Sequence, residues 1–216
     1  MKLENVMTQW VHLAKPQDGY YKVEMICLPD QAAQIDAEID TAWEKWQKKE
    51  KSTKSPAWIG GRKVFEKDLP ILDIDKCLEL VFRDNPDLDM TVAEWLEKTM
   101  VSTLKKYQTA HKQKKLVSFV AKQSAEKTNT DGTVNQVKPC VYKLLGTERF
   151  ASDEIPFLSN GSICIIGFEP FVSQFKRDAG ITLGLRSVQP LLYSSFSGDG
   201  SGGTDIAKLV AAQNAE

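Results

Sequence analysis

The sequence predicts a mainly β domain, a small barrel or sandwich, with a few helices. Three observations lead there. Six short runs are alternating or rich in β-branched and aromatic residues, the mark of strands with one buried face. Turn pairs such as Asp18-Gly19 and Asp131-Gly132 separate some of them. The helical stretches are grouped rather than alternating with the strands, which argues against a doubly wound α/β sheet.

The first run is "QWVHLA", which ends at Lys15-Pro16 and is followed by the turn "QDG". The second is "YYKVEMICLP". It sets Tyr21, Val23, Met25 and Cys27 on one face and Tyr20, Lys22, Glu24 and Ile26 on the other, so the two runs form a hairpin with one buried side. A helix follows. Asp30 stands at its start as a cap, and Ile35, Ile39, Trp43 and Trp46 make its apolar side. The stretch "QKKEKSTKSP" reads as its frayed end and a linker.

Residues 54–114 change character. "DIDKCLELVFR" places Leu78, Val81 and Phe82 on one helical face and stops near Asn85-Pro86. The next helix has Thr91 and Glu94 at capping-box spacing. Its apolar stripe is Val92, Trp95, Leu96, Met100, Leu104 and Tyr107. This segment is expected to be a mainly helical insertion lying outside the functional site.

Strand character returns with "KLVSFVAKQS" and "QVKPCVYKLLG", joined by a polar connection around Asp131-Gly132. Pro139 puts the start of the second on an edge. "SICIIGFEP" and "GITLGLRSVQPLLYSS" complete the set, the last with Ile181, Leu183 and Leu185 inward and Thr182, Gly184 and Arg186 outward. The expected organisation is one domain over 1–196 and a flexible tail over 197–216.

Composition excludes several classes. The chain has 216 residues, 42% hydrophobic and 26% charged, with a net charge of −1. Those values suit a soluble globular domain. Charge is polarised along the chain. Residues 66–96 hold nine acids and three bases, net −6, whereas 98–138 hold nine lysines and two acids, net +7. Cys27, Cys77, Cys140 and Cys164 lie far apart, and His12 and His111 stand alone. Neither pattern has zinc-ligand spacing, so reduced cysteines of a cytoplasmic protein are expected. No stretch approaches the length of a membrane span, no cofactor motif occurs, and no cofactor is expected.

Two chemistries remain. Asp73 with Asp75, or Asp87 with Asp89, offers carboxylate pairs for a metal-dependent nuclease, although carboxylates at helix starts also favour the dipole. The stretch "FEPFVSQFKR" places Phe171 and Phe175 beside Lys176 and Arg177 in an expected loop. Rings beside cations suit single-stranded nucleic acid, whose bases stack and whose phosphates need neutralising. The outward faces of neighbouring strands add Tyr20, Lys22, Lys122, Lys143 and Arg186. A structural or protein-interaction module would use the same rings as a protein contact.

Taken together, "HLAKPQDGYYKVEMICLPD", the helix after the second strand, and "EIPFLSNGSICIIGFEPFVSQFKRDAGITLGLRSVQPLLY" resemble the helix-destabilising, single-stranded DNA-binding proteins of short-tailed coliphages. The similarity covers roughly residues 8–51 and 115–196 and lies in order and spacing. It implies an OB-type barrel of five or six strands, with no catalysis. It also implies sequence-tolerant binding and protection of single-stranded DNA in replication or recombination in the host cytoplasm, with phage or host replication proteins as partners. Phe171 stands where that family places an aromatic residue. The chain departs from the family in the length and helicity of 54–114. It departs also at the end, where Asp199, Asp205 and Glu216 face Lys208 instead of a strongly acidic tail.

Overall fold

The computed structural model describes residues 1–193 except 71, 87, 88, 145–147, 152, 153, 157 and 176. The expected tail therefore lies outside the described residues, as does Lys176. Among the described residues, nine strands and three helices follow one another: β1 (Lys2–Gln17), β2 (Tyr20–Cys27), α1 (Pro29–Glu50), β3 (Lys63–Val64), α2 (Ile74–Asp84), α3 (Met90–Lys112), β4 (Val117–Ser124), β5 (Glu126–Thr128), β6 (Val134–Gln136), β7 (Cys140–Val141), β8 (Ile163–Phe175) and β9 (Asp178–Leu192).

Five of these strands close a barrel. The order is β4-β2-β1-β8-β9, and β9 returns to β4. All neighbours are antiparallel except β4 and β9, which run parallel through Ala121–Leu183 and Lys122–Gly184. Counting only the wall strands, the circuit is first, second, third, fifth, fourth, the OB-type arrangement. β1 is longer than the alternation of "QWVHLA" predicts. Irregular register and positive φ at Asn5 and Trp10 interrupt its pattern, so the part before Gln9 carries no clean period.

The wall faces follow the expected alternation. Tyr21, Val23, Met25 and Cys27 are buried, as are Ile181, Leu183 and Leu185. On the other face of β2, Tyr20 is exposed but Ile26 is fully buried, because helices cover that end. α1 packs Ile35, Ile39 and Trp43 into the core. Its N-cap is Leu28 rather than Asp30, and Gln31 Oε1 accepts from Leu28 N at 2.9 Å. In α3, Leu96, Met100, Leu104 and Tyr107 are buried, whereas Trp95 is exposed. Trp95 lies about 100° around the helix from Leu96, off the stripe that meets the barrel.

The middle segment is thus tied to the barrel core, and its first part is not helical. Ala57 N donates to Ala179 O and Ile181 N to Trp58 O, both at 2.9 Å. Gly60 N then donates to Ile181 O (2.8 Å) while Gly60 O accepts from Val120 N (2.7 Å). From there Lys63 and Val64 pair with Ser118 and Val117. Residues 57–65 therefore fill the wedge where β4 and β9 diverge.

Tyr107 fastens α3 from inside. Its hydroxyl accepts from Met7 N (2.9 Å), with Ile26 O at 2.8 Å and Gln31 Oε1 at 3.0 Å as acceptors for its proton. One side chain thus joins β1, β2, α1 and α3. Burial pushes the phenol well above the ordinary tyrosine range, so it stays a donor. Tyr107→Phe leaves a buried N–H and a buried carbonyl short of a partner, a cost of about 1–3 kcal/mol. Urea unfolding should show that loss as a lower midpoint with an unchanged slope; an unchanged midpoint would mean that the hydroxyl fastens nothing.

Candidate functional site

β8 and β9 continue past the last pairing with β1 as a ribbon, edged on the β9 side by residues 57–60. β1 pairs with β8 only as far as Gly167, whereas β8 and β9 stay in register to Phe175–Asp178. The expected loop over 171–175 is therefore strand. Pro170 is tolerated there because Met1 makes the last backbone bonds on that edge of β8, to Phe168, and Pro170 lies beyond them. Alternation then puts Glu169, Phe171, Ser173 and Phe175 on one face, opposite Gly184, Thr182, Gly180 and Asp178 of β9. Val172 and Ile181, pointing the other way, pack on the core.

The outward face is a platform of rings. Phe171 is 44% exposed and Phe175 67% exposed. Phe171 lies over Gly184, where a Cβ would come within 3.0 Å of its Cε1. A third ring, Trp58, lies over Gly180, and a Cβ there would overlap the indole. Both glycines are needed for close approach, because any side chain would lift the ring off the sheet. Trp58 was not anticipated from the sequence. "WIGGR" has no period, and its only signal is a tryptophan beside two glycines.

Cations and a fourth ring adjoin the platform. Lys122 pairs with Gly184 on one side and Lys22 on the other. Its Nζ stands 5.0 Å from the centre of the Tyr20 ring, an arrangement that holds both side chains against the sheet. Lys22 binds Asp18 at 3.1 Å. Arg177 is exposed at the ribbon tip. Arg186 is also exposed, but Glu169 Oε2 accepts from it at 2.6 Å, so that pair adds no net charge. Lys143 is placed apart. It follows β7, near Gln189 at the far end of β9 from the tip, and pairs with Glu148 at 2.7 Å. The face therefore unites Phe171, Phe175, Tyr20, Lys22 and Lys122, with Arg177 at its tip and Arg186 on its flank.

A second basic surface differs in kind. Lys98, Lys105, Lys106 and Lys115 rim an open groove between α3 and the start of α1, floored by Leu28 and Val101. No aromatic side chain lines it, so it offers charge without stacking. The acidic segment has local structural work: Asp73 accepts from Lys76 N at the start of α2 and Asp84 accepts from Tyr193 Oη. Asp87 lies outside the described residues. Among the described residues no group of three potential metal ligands is present, and no helix is long and apolar enough to cross a membrane.

The arrangement can hold flat apolar rings against exposed aromatic faces and anions against Lys22, Lys122 and Arg177. Neither a protein-family model nor any curated protein sequence matches the chain. Solved structures do. The fold is similar to that of the single-stranded DNA-binding protein from bacteriophage Enc34, with a TM-score of 0.50 and 17% identity over 97% of this chain and 88% of that one. It is also similar to gp2.5, a single-stranded DNA-binding protein encoded by bacteriophage T7, with a TM-score of 0.52 and 14% identity over 94% and 91%.

The cysteines take no part in this face. Burial pushes the thiols of Cys77 and Cys164 up to about 12 and raises that of Cys27 further, with Asp36 and Asp30 adding to the last. A thiolate is the reactive form. Ellman's reagent at pH 8 should therefore label only the half-exposed Cys140 in the native protein and all four cysteines in guanidinium. Rapid native labelling of two or more would show that the barrel opens.

Proposed function

We propose that this protein binds single-stranded DNA without sequence preference and shields it during phage replication or recombination, in the host cytoplasm. The observation that carries the reading is the ribbon face. Two phenylalanines are exposed on one side of a rigid β ribbon, over glycines and thin residues, with lysines on the adjoining strands. Exposed rings are costly in water and useful where bases supply the missing contact. The shared fold with two phage proteins named for binding single-stranded DNA supports the same reading.

In this mechanism nothing is catalysed. Phe171 and Phe175 stack on bases, while Lys122, Lys22 and Arg177 draw the phosphates along the strand. Lys22 exchanges Asp18 for a phosphate at small cost, because an exposed ion pair is worth roughly 0–1 kcal/mol. Every base has a π face, so stacking tolerates sequence. Duplex DNA fits poorly, because paired bases are already stacked on each other. An OB-type barrel covers roughly 4–16 nucleotides. A nuclease reading gains nothing from the acidic segment, where Asp73 is the cap of α2.

The experiment pairs affinity with stability. Oligo-dT should bind in a mobility-shift assay, more tightly than duplex of equal length. Log affinity should fall linearly with log salt, at about −0.7 per neutralised phosphate, or roughly −2 to −3.5 for three to five contacts. Phe171→Ala should weaken binding about 5- to 150-fold, the equivalent of 1–3 kcal/mol of stacking, with little change in melting because the ring is half outside. Equal affinity for duplex, a flat salt response, or a mutant that melts early but binds normally would sink the proposal.

A further inference from the structure

We infer that Trp58 is a third base-stacking ring and that bound DNA therefore clamps the seam of the barrel. The inference rests on the single-stranded DNA reading above and extends it to a segment with no strand-like sequence pattern.

The position of the ring comes first. Trp58 lies over Gly180, and Gly180 pairs with Ser173. Ser173 sits midway between Phe171 and Phe175 on the same face. The indole thus stands between the two phenylalanines rather than beside them. Phe171 leans away toward Gly184, and the ribbon positions 171, 173 and 175 are themselves roughly 7 Å apart at about 3.3 Å per strand residue. That is about twice the 3.4 Å separation of successive bases in a duplex strand. Such a row suits a drawn-out single strand.

Its surroundings come second. Trp43 is buried at 7% exposure and belongs to the hydrophobic core, and Ile59 and Trp46 pack against that core. Trp58 is not part of the cluster and stays half-exposed. Its immediate neighbour Ile59 turns inward to meet Ile181, and the indole turns outward. A ring placed only to fill the interior would face the other way.

Its backbone comes third. Ala57, Trp58 and Gly60 are hydrogen-bonded to β9, and Gly60 also to β4. The indole is therefore carried on a segment fixed by backbone hydrogen bonds, and little ordering is left to be done on binding. The same bonds close the wall between β4 and β9. A strand of DNA with successive bases stacked on Trp58 and Phe171 bridges the 57–60 segment to β8 and holds that closure shut.

The test uses the full chain and oligo-dT. Trp58→Leu keeps an apolar cover on Gly180 but removes the aromatic face. Its affinity for oligo-dT should fall about 5-fold or more, while its melting stays near wild type. In the wild type, oligo-dT should slow hydrogen exchange at the amides of Gly60 and Ile181; in Trp58→Leu it should not. An oligonucleotide carrying 5-bromodeoxyuridine should photo-crosslink to the peptide containing Trp58. Leucine-variant affinity within twofold of wild type, alongside a weakened Phe171→Ala, would overturn the role of Trp58 and leave the DNA reading standing. So would crosslinks confined to the peptide containing Phe171, a readout that does not depend on the leucine variant folding. Failure of the wild type to bind oligo-dT would overturn both.

Discussion

One residue, Gly60, closes the fork in the barrel wall. β4 and β9 pair directly at only two positions, Ala121–Leu183 and Lys122–Gly184, and then part. At the fork, Gly60 gives its N–H to Ile181 and receives the N–H of Val120 on its carbonyl. Without it both wall strands would show open edges, with backbone groups needing water or another chain. The fork admits little else. Gly60 and Gly61 hold φ of +40° and +67°, and Cβ atoms there would meet Leu183 Cγ at 2.8 Å and Val120 Cγ2 at 2.9 Å. The ring-bearing face depends on this closure, since Trp58 and Gly180 lie on its two sides and Lys122 at its base.

The helices of the middle segment are fastened to the first two strands and α1. Residues 57–65 leave the wall and the chain passes into α2 and α3 before returning as β4. Tyr107 anchors that excursion by satisfying groups of β1, β2 and α1 at one oxygen. The covered end of the barrel is therefore polar at its centre and apolar around it, an arrangement with one good geometry because every partner is fixed by its own element. The ribbon is the opposite case on its outer face, which is given to rings, while Val172, Ala179 and Ile181 hold its inner face on the core.

The sequence was most legible where one physical demand acted alone. β9 alternates cleanly because one side meets the core and the other meets solvent or ring, and the faces of Ile181, Leu183, Leu185 and Gly184 follow. The rings Phe171 and Phe175 could be singled out because no core position explains large apolar residues beside cations. Reading failed where demands overlapped. Phe171–Phe175 looks like a loop because an edge strand tolerates Pro170 and polar residues. Ile26 shares an alternating face with Tyr20 yet is buried, because α3 arrives from a distant part of the chain. Trp58 was hidden because a four-residue irregular segment, bonded on both sides and turned by two glycines, has no period. Lys143 and Arg186 looked like free cations, and their partners, Glu148 and Glu169, were visible only once the strands were paired.

The ribbon also obeys a rule of parity. Phe171 and Phe175 share a face because an odd number of residues separates them, and their seats on β9 obey the same count. Removing one residue between them would turn one ring toward the interior side and leave the other outside. Removing two cross-strand pairs between them, two residues from each strand, would shorten the arm by about 7 Å and keep both rings outward. Related chains can thus vary the reach of this arm in even steps, while odd steps are closed to them unless a bulge restores the count.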